Sequence, residues 1–226
     1  ELIEKDKYLL DKLLRFNIRK FKEKIICEKR TLIYDKSFLQ LLSFTLSSLK
    51  ILNTLEKDPI PELTENIFKE VSIKSYLKKI GAFKGKPGSG NFAMFIAINL
   101  LHNKIYLNNK VEKRIEEWVD LHLKNMNRNG FFGSIFSNPF LQFQNGFHQY
   151  EIFDFLNLDG KFWQKSADFV SKLADKDGHF APYPGGGGCY DYDATFFLAS
   201  RFVNVEKFKK QLNLTYKTIL KEQNID

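Results

Sequence analysis

One pattern limits what this chain can fold into more than any other. Three segments place Gly-x-Phe after an expected helix end: Gly81-Ala82-Phe83, Gly130-Phe131-Phe132 and Gly178-His179-Phe180. The glycines are 49 and 48 residues apart. Each leads through a loop into a nearly all-apolar helix, and an amphipathic helix follows. A fixed period of this length marks a repeated helical hairpin. The alternation implies layering, because an apolar helix suits an inner row touched on all sides and an amphipathic one suits an outer row with one wet face. No run of alternating β-branched residues is present, so the class is all-α.

The flanking sequence agrees. Residues 2–29 carry Leu9, Leu10, Leu13, Leu14, Phe21, Ile25 and Ile26 near a 3.6 period and predict a long amphipathic helix. Asp35 and Ser37 offer caps for an apolar helix over 38–55, which Pro59 and Pro61 end. Residues 62–80 resume as a helix interrupted near Ser72 and stop at Gly81. Further helices are expected over 92–101, 111–126, 146–156, 161–174, 191–203 and 205–222. At this period 226 residues hold four or five hairpins in one domain, residues 1–226, with recognisable repeats from about 80 to 222.

Charge and composition exclude some roles. The net charge of +8 comes from lysines spread along the chain, without zinc-finger, RNA-recognition or basic-zipper spacing, so no nucleic-acid partner is expected. No apolar run is long enough for a transmembrane helix. Cys27 and Cys189 are far apart in unlike surroundings, which argues against a disulfide framework and for a reducing, cytoplasmic setting. Composition leaves the oligomeric state open.

The densest chemistry lies in Asp175–Leu198, where four consecutive glycines, Gly185–Gly188, precede Cys189-Tyr190-Asp191-Tyr192-Asp193. Asp191 and Asp193 stand at i and i+2 at a helix start, where two carboxylates can share a proton and burial raises one pKa. A second constellation comprises Asn145, His148, Gln149, Tyr150 and Glu151. His148 and Glu151, three apart, share a helical face and suit base chemistry. If His148 and Asp191 start equivalent inner helices, His148, Asp191 and Asp193 meet in one cleft. Tyr150, Tyr190, Tyr192, His179, Asn145, Gln149 and Asn91 then contact the ligand, and Gly187 and Gly188 let the backbone approach it. Nothing in the sequence requires a cofactor; the alternative is zinc on Cys189, His179 and Asp191.

The Asn-Gly-Phe-Phe and Asp-Gly-His-Phe turns resemble those of the terpenoid-cyclase and protein-prenyltransferase superfamily, over roughly residues 80–203. The resemblance implies an α/α toroid, of reduced size because that ring usually holds six hairpins. It implies acid chemistry at Asp191 and Asp193, although Ala194 stands where the cyclase motif has a third acid. It implies zinc at Cys189, although Gly187 stands where the prenyltransferase motif has an Asp. Three functions follow as expectations: an acid–base enzyme on an isoprenoid-like or diphosphate-bearing substrate, an enzyme on an acidic glycan, or a non-catalytic helical-repeat scaffold. A deep apolar mouth favours the first. A polar groove with exposed tyrosines favours the second, and a shallow loop face with Asp193 exposed favours the third.

Overall fold

The computed structural model describes residues 2–28, 32–52, 71–106, 111–184 and 186–223. These residues form nine α-helices and no strand, so the class is all-α. Two helices open the chain: α1 (Leu2–Glu28) and α2 (Lys36–Ile51). Next come α3 (Ile73–Ile80), α4 (Ser89–Tyr106) and α5 (Glu112–Lys124). The remainder holds α6 (Pro139–Phe155), α7 (Lys161–Val170), α8 (Cys189–Leu198) and α9 (Lys209–Gln223). None of the described helices is long and apolar enough to cross a membrane.

Helix ends follow local chemistry. Asp35 caps α2 by accepting from Phe38 N–H at 2.9 Å. The interruption expected near Ser72 is the start of α3, where the Ser72 hydroxyl accepts from Ser75 N–H at 3.3 Å. The expected helix over 62–70, and the end of the 38–55 helix past Leu52, lie outside the described residues. One boundary differs by two turns. α6 starts at Pro139 behind Asn138, whose side chain accepts from Phe140 and Leu141 N–H at 2.9 and 3.2 Å. His148 therefore sits within α6, not at its start.

The repeat is visible in the element register. The amphipathic helices α5, α7 and α9 begin at residues 112, 161 and 209, spacings of 49 and 48. The apolar helices α4, α6 and α8 begin at residues 89, 139 and 189, spacings of 50 and 50.

The chain divides into two compact units, each discontinuous in sequence. The first is Glu1–Ile80 with Asn91–Leu121, and the second is Gly81–Gly90 with His122–Asp226. In the first, α1 packs on α2, and Trp118 on α5 donates its indole N–H to the Ala93 carbonyl at 3.0 Å. In the second, α8 packs against α6, α7 and α9, which fits the inner position its apolar sequence demands. Phe131, Phe143, Tyr150, Phe153, Trp163 and Phe197 fill this core, each at most 0% exposed. Their rings meet mostly edge to face, as Tyr150 does with Phe197 at 4.7 Å and with Trp163 at 4.8 Å.

Candidate functional site

Two loops of the second unit share one backbone design. In the first, Asn127 Oδ1 accepts from Asn129 and Phe131 N–H at 2.9 and 3.2 Å. The Asn127 N–H donates to the Phe131 carbonyl at 2.7 Å. In the second, Asp175 Oδ1 accepts from Asp177 and His179 N–H, both at 2.9 Å. The Asp175 N–H donates to the His179 carbonyl at 2.8 Å. Gly130 and Gly178 hold φ of 86° and 97°, the left-handed region that favours glycine. Each glycine carbonyl is closed by a hydroxyl, from Tyr150 in one case and Thr215 in the other, both at 2.7 Å. Gly81 follows another course, entering a short 3-10 turn over Ala82–Lys84. Two of the three sequence repeats are thus one turn, and the third is a different structure.

The two turns diverge at a single position. Phe131 packs on Tyr150, Phe169 and Phe197. Its counterpart His179 is 2% exposed and lies between two carboxylates. His179 Nδ1 is 2.7 Å from Asp191 Oδ2, and Nε2 is 3.0 Å from Glu222 Oε1. Two carboxylates, one at each nitrogen, favour the doubly protonated imidazolium, which can donate to both. The bond to Asp191 raises the His179 pKa most, against burial, and Glu222 adds to it. Asp191 also accepts from Phe180 N–H at 2.8 Å. Gly187 lies so close that a Cβ there would meet Asp191 Oδ2 at 2.6 Å. Glycine at 187 is thus explained by the approach of the backbone to this pair.

Asp193, two residues on, belongs to another group. Residues at i and i+2 of a helix do not face each other, so Asp191 and Asp193 do not share a proton as expected. Asp193 is 7% exposed, and burial first, then the charge of Glu151, pushes its pKa up to about 7. Glu151 Oε2 is 3.2 Å from His148 Nδ1 on α6. Tyr190 is half-buried, and its pKa is raised by burial first, then by Cys189, Tyr183 and Asp193. Asp193 thus senses Glu151, which pairs with His148, whereas Asp191, His179 and Glu222 are joined by hydrogen bonds.

Two clefts lie along α8, and a third of about 950 Å³ lies apart from it, walled by Ser171, Lys207, Lys210, Leu214 and Lys217. One of about 560 Å³ is walled by Gly188, Asp191, Tyr192, Thr195 and Glu222. Another of about 440 Å³ is walled by Asp154, Tyr192, Thr195 and Arg201. The two share Tyr192 and Thr195 as walls. Tyr192 is 64% exposed and Tyr183 is 56% exposed. Neither His148 nor Asp193 lines these two clefts, so the single cleft expected for His148, Asp191 and Asp193 is replaced by two neighbouring groups.

Several expected ligand contacts are architectural. Tyr150 is fully buried, its hydroxyl donates to backbone carbonyls, and burial raises its pKa. Asn145 ties down the 85–88 loop by accepting from Gly88 N–H at 2.9 Å and donating to the Gly85 carbonyl at 3.2 Å. The buried Gln149 amide, turned so that its nitrogen faces the carbonyls of Asn145 and Gly146, can donate to them at 2.6 and 3.1 Å. Asn91 belongs to the first unit, on α4. Cys189 is exposed with a free thiol, and among the described residues no three His, Cys, Asp or Glu side chains are arranged to hold a metal ion.

Glu222 was not anticipated. Its signal is a polar stripe on α9: Thr215, Thr218 and Glu222 lie at i, i+3 and i+7, on one face. Thr215 and Thr218 donate to the Gly178 and Asp177 carbonyls at 2.7 and 2.6 Å, which holds α9 on the turn. No protein-family model, curated protein or solved structure matches this chain.

Proposed function

We propose that this chain is an α/α-toroid-like enzyme that cleaves a glycosidic bond by acid–base chemistry. The observation that carries the reading is the Asp193–Glu151 pair. Asp193 is buried with a pKa pushed up to about 7, and Glu151 beside it is more exposed. Two carboxyl groups in unlike surroundings suit the two halves of the reaction, one giving a proton and one taking it. Asp193 is the acid. Glu151 is the base, and His148 positions it. Tyr190 senses the charge of Asp193, and Tyr192 and Tyr183 offer exposed ring faces to a sugar. The recurrence of one hairpin and one turn at a 48-residue spacing supports the toroid-like layering.

The carbohydrate reading is preferred over the isoprenoid one because of where the aromatics are. An isoprenoid substrate needs a cavity walled by aromatic faces. In the second unit the large rings pack on one another, and the two clefts along α8, which Asp193 does not line, instead present Asp191, Tyr192, Thr195, Glu222 and Arg201. Incubation with a panel of neutral and uronate-containing polysaccharides tests the proposal. Newly formed reducing ends are expected from at least one, with an unsaturated terminal sugar marking elimination instead of hydrolysis. Asp193→Asn and Glu151→Gln each lower turnover by about 100-fold or more with helical content unchanged. No release from any polysaccharide sinks the proposal.

A further inference from the structure

His179 and the carboxylate that α9 delivers to it take no part in the acid–base step. We infer that His179 Nε2 is a docking point for a carboxylate of the substrate, an anionic sugar such as a uronate, and that Glu222 is its tethered competitor. The sugar identity rests on the carbohydrate reading above; the docking point itself rests on geometry.

The two sides of the imidazole are built differently. The Nδ1 side is fixed, because Asp191 is 2% exposed, accepts from both His179 and Phe180 N–H, and is overlain by Gly187. The Nε2 side ends on Glu222, whose side chain is 52% exposed and reaches from the last turn of α9. A ligand carboxylate can replace it one for one. One charge-assisted hydrogen bond breaks, another of the same kind forms, and the buried imidazolium keeps an anion at each nitrogen. The cleft of about 560 Å³ opens beside it, with Gly188, Tyr192, Thr195 and Ile219 on its walls. The released Glu222 side chain stays in water. The backbone design does not require an imidazole here, because the same turn holds Phe131 at the matching position. The net charge of +8 suits an anionic ligand.

Calorimetric titration of the full chain with sodium glucuronate, methyl glucuronate and glucose tests the inference. Glucuronate is expected to bind, and Glu222→Ala to bind it about tenfold more tightly because the tethered competitor is gone. The methyl ester and glucose gain nothing from that change, and His179→Gln loses glucuronate binding. Absence of glucuronate binding, equal affinity in the wild type and Glu222→Ala, or an equal gain for the ester overturns the docking point. An equal gain for an Asp/Glu-rich peptide overturns its assignment to a sugar acid. If His179→Gln fails to fold, the His179 Nε2 resonance of ¹⁵N-labelled Glu222→Ala decides: a shift on adding glucuronate supports the inference and an unmoved resonance contradicts it. Glycan turnover is read separately. Binding without turnover removes the catalytic reading and leaves the docking point; turnover without any effect of Glu222→Ala does the reverse.

Discussion

The turns at 127–132 and 175–180 have the same hydrogen bonds, the same left-handed glycine and the same hydroxyl on the glycine carbonyl. They differ in what the residue after the glycine meets. Phe131 enters an aromatic core, whereas His179 enters a pair of carboxylates. The register extends the contrast to α6 and α8, where the third residue is Leu141 in one and Asp191 in the other. A position that the repeat can fill with hydrocarbon holds a buried charge pair. Removing one partner of such a pair costs far more than replacing both by packed apolar groups. The comparison therefore separates architecture from the part of the molecule that architecture does not require.

Exchanging the residues breaks the comparison most severely in one direction. Phe131→His puts an imidazole among Tyr150, Phe169 and Phe197 without a carboxylate. A loss of about 3–5 kcal/mol in unfolding free energy is expected in denaturant titration. A loss below about 1 kcal/mol would show that the first turn has a polar partner ready. Asp191→Ala comes next. It leaves the buried imidazolium with Glu222 alone and the Phe180 N–H without its acceptor, at a cost of about 3 kcal/mol by the same titration. Tyr150→Phe and Thr215→Val probe the shared feature, the hydroxyl on the glycine carbonyl. Each is expected to cost about 1–2 kcal/mol, and similar losses would confirm that the turns are equivalent.

The smallest effect is on pH dependence. The Asp193 pKa rises from 3.8 to about 7 on folding, so the native state holds more protons between those values. Stability from this group is present below pH 3.8 and is lost as pH rises to about 7. His179, also raised, contributes stability below 6.5 that is lost as pH climbs through its folded pKa. Thermal melts of Asp193→Asn against the wild type should show a shallower decline between pH 4 and 7, with the higher-pH decline retained. An unchanged slope in that window places the Asp193 titration near its ordinary value.

Much of the fold was legible because helix ends are local chemistry. Asp35, the break at Ser72 and the spaced glycines all acted where the sequence put them. Gly146 misled, reading as a helix boundary when it lies inside α6. A Cβ there would meet the Phe131 ring at 2.2 Å, so this glycine serves a packing contact that no local pattern announces. The site was legible as a list of residues and not as a grouping. The 100° turn per helical residue sends Asp191 and Asp193 to different neighbours. Tyr150 looked like a ligand contact because its hydroxyl is chemically able, and tertiary burial spends it on Gly130. Glu222 completes the His179 pair from 43 residues away, a distance across which local patterns say nothing.

The direct test of the central claim is to rewrite the second turn as the first. The double variant His179→Phe/Asp191→Leu copies the residues found at 131 and 141, and its stability and turnover of a uronate-containing glycan should be measured together. Stability is expected to fall by about 1–3 kcal/mol, the cost of the buried Phe180 N–H left without its acceptor, while kcat/KM falls by about 100-fold. Undiminished turnover, or collapse of the fold, would contradict the account, since either places the charge pair in the architecture and not in the site.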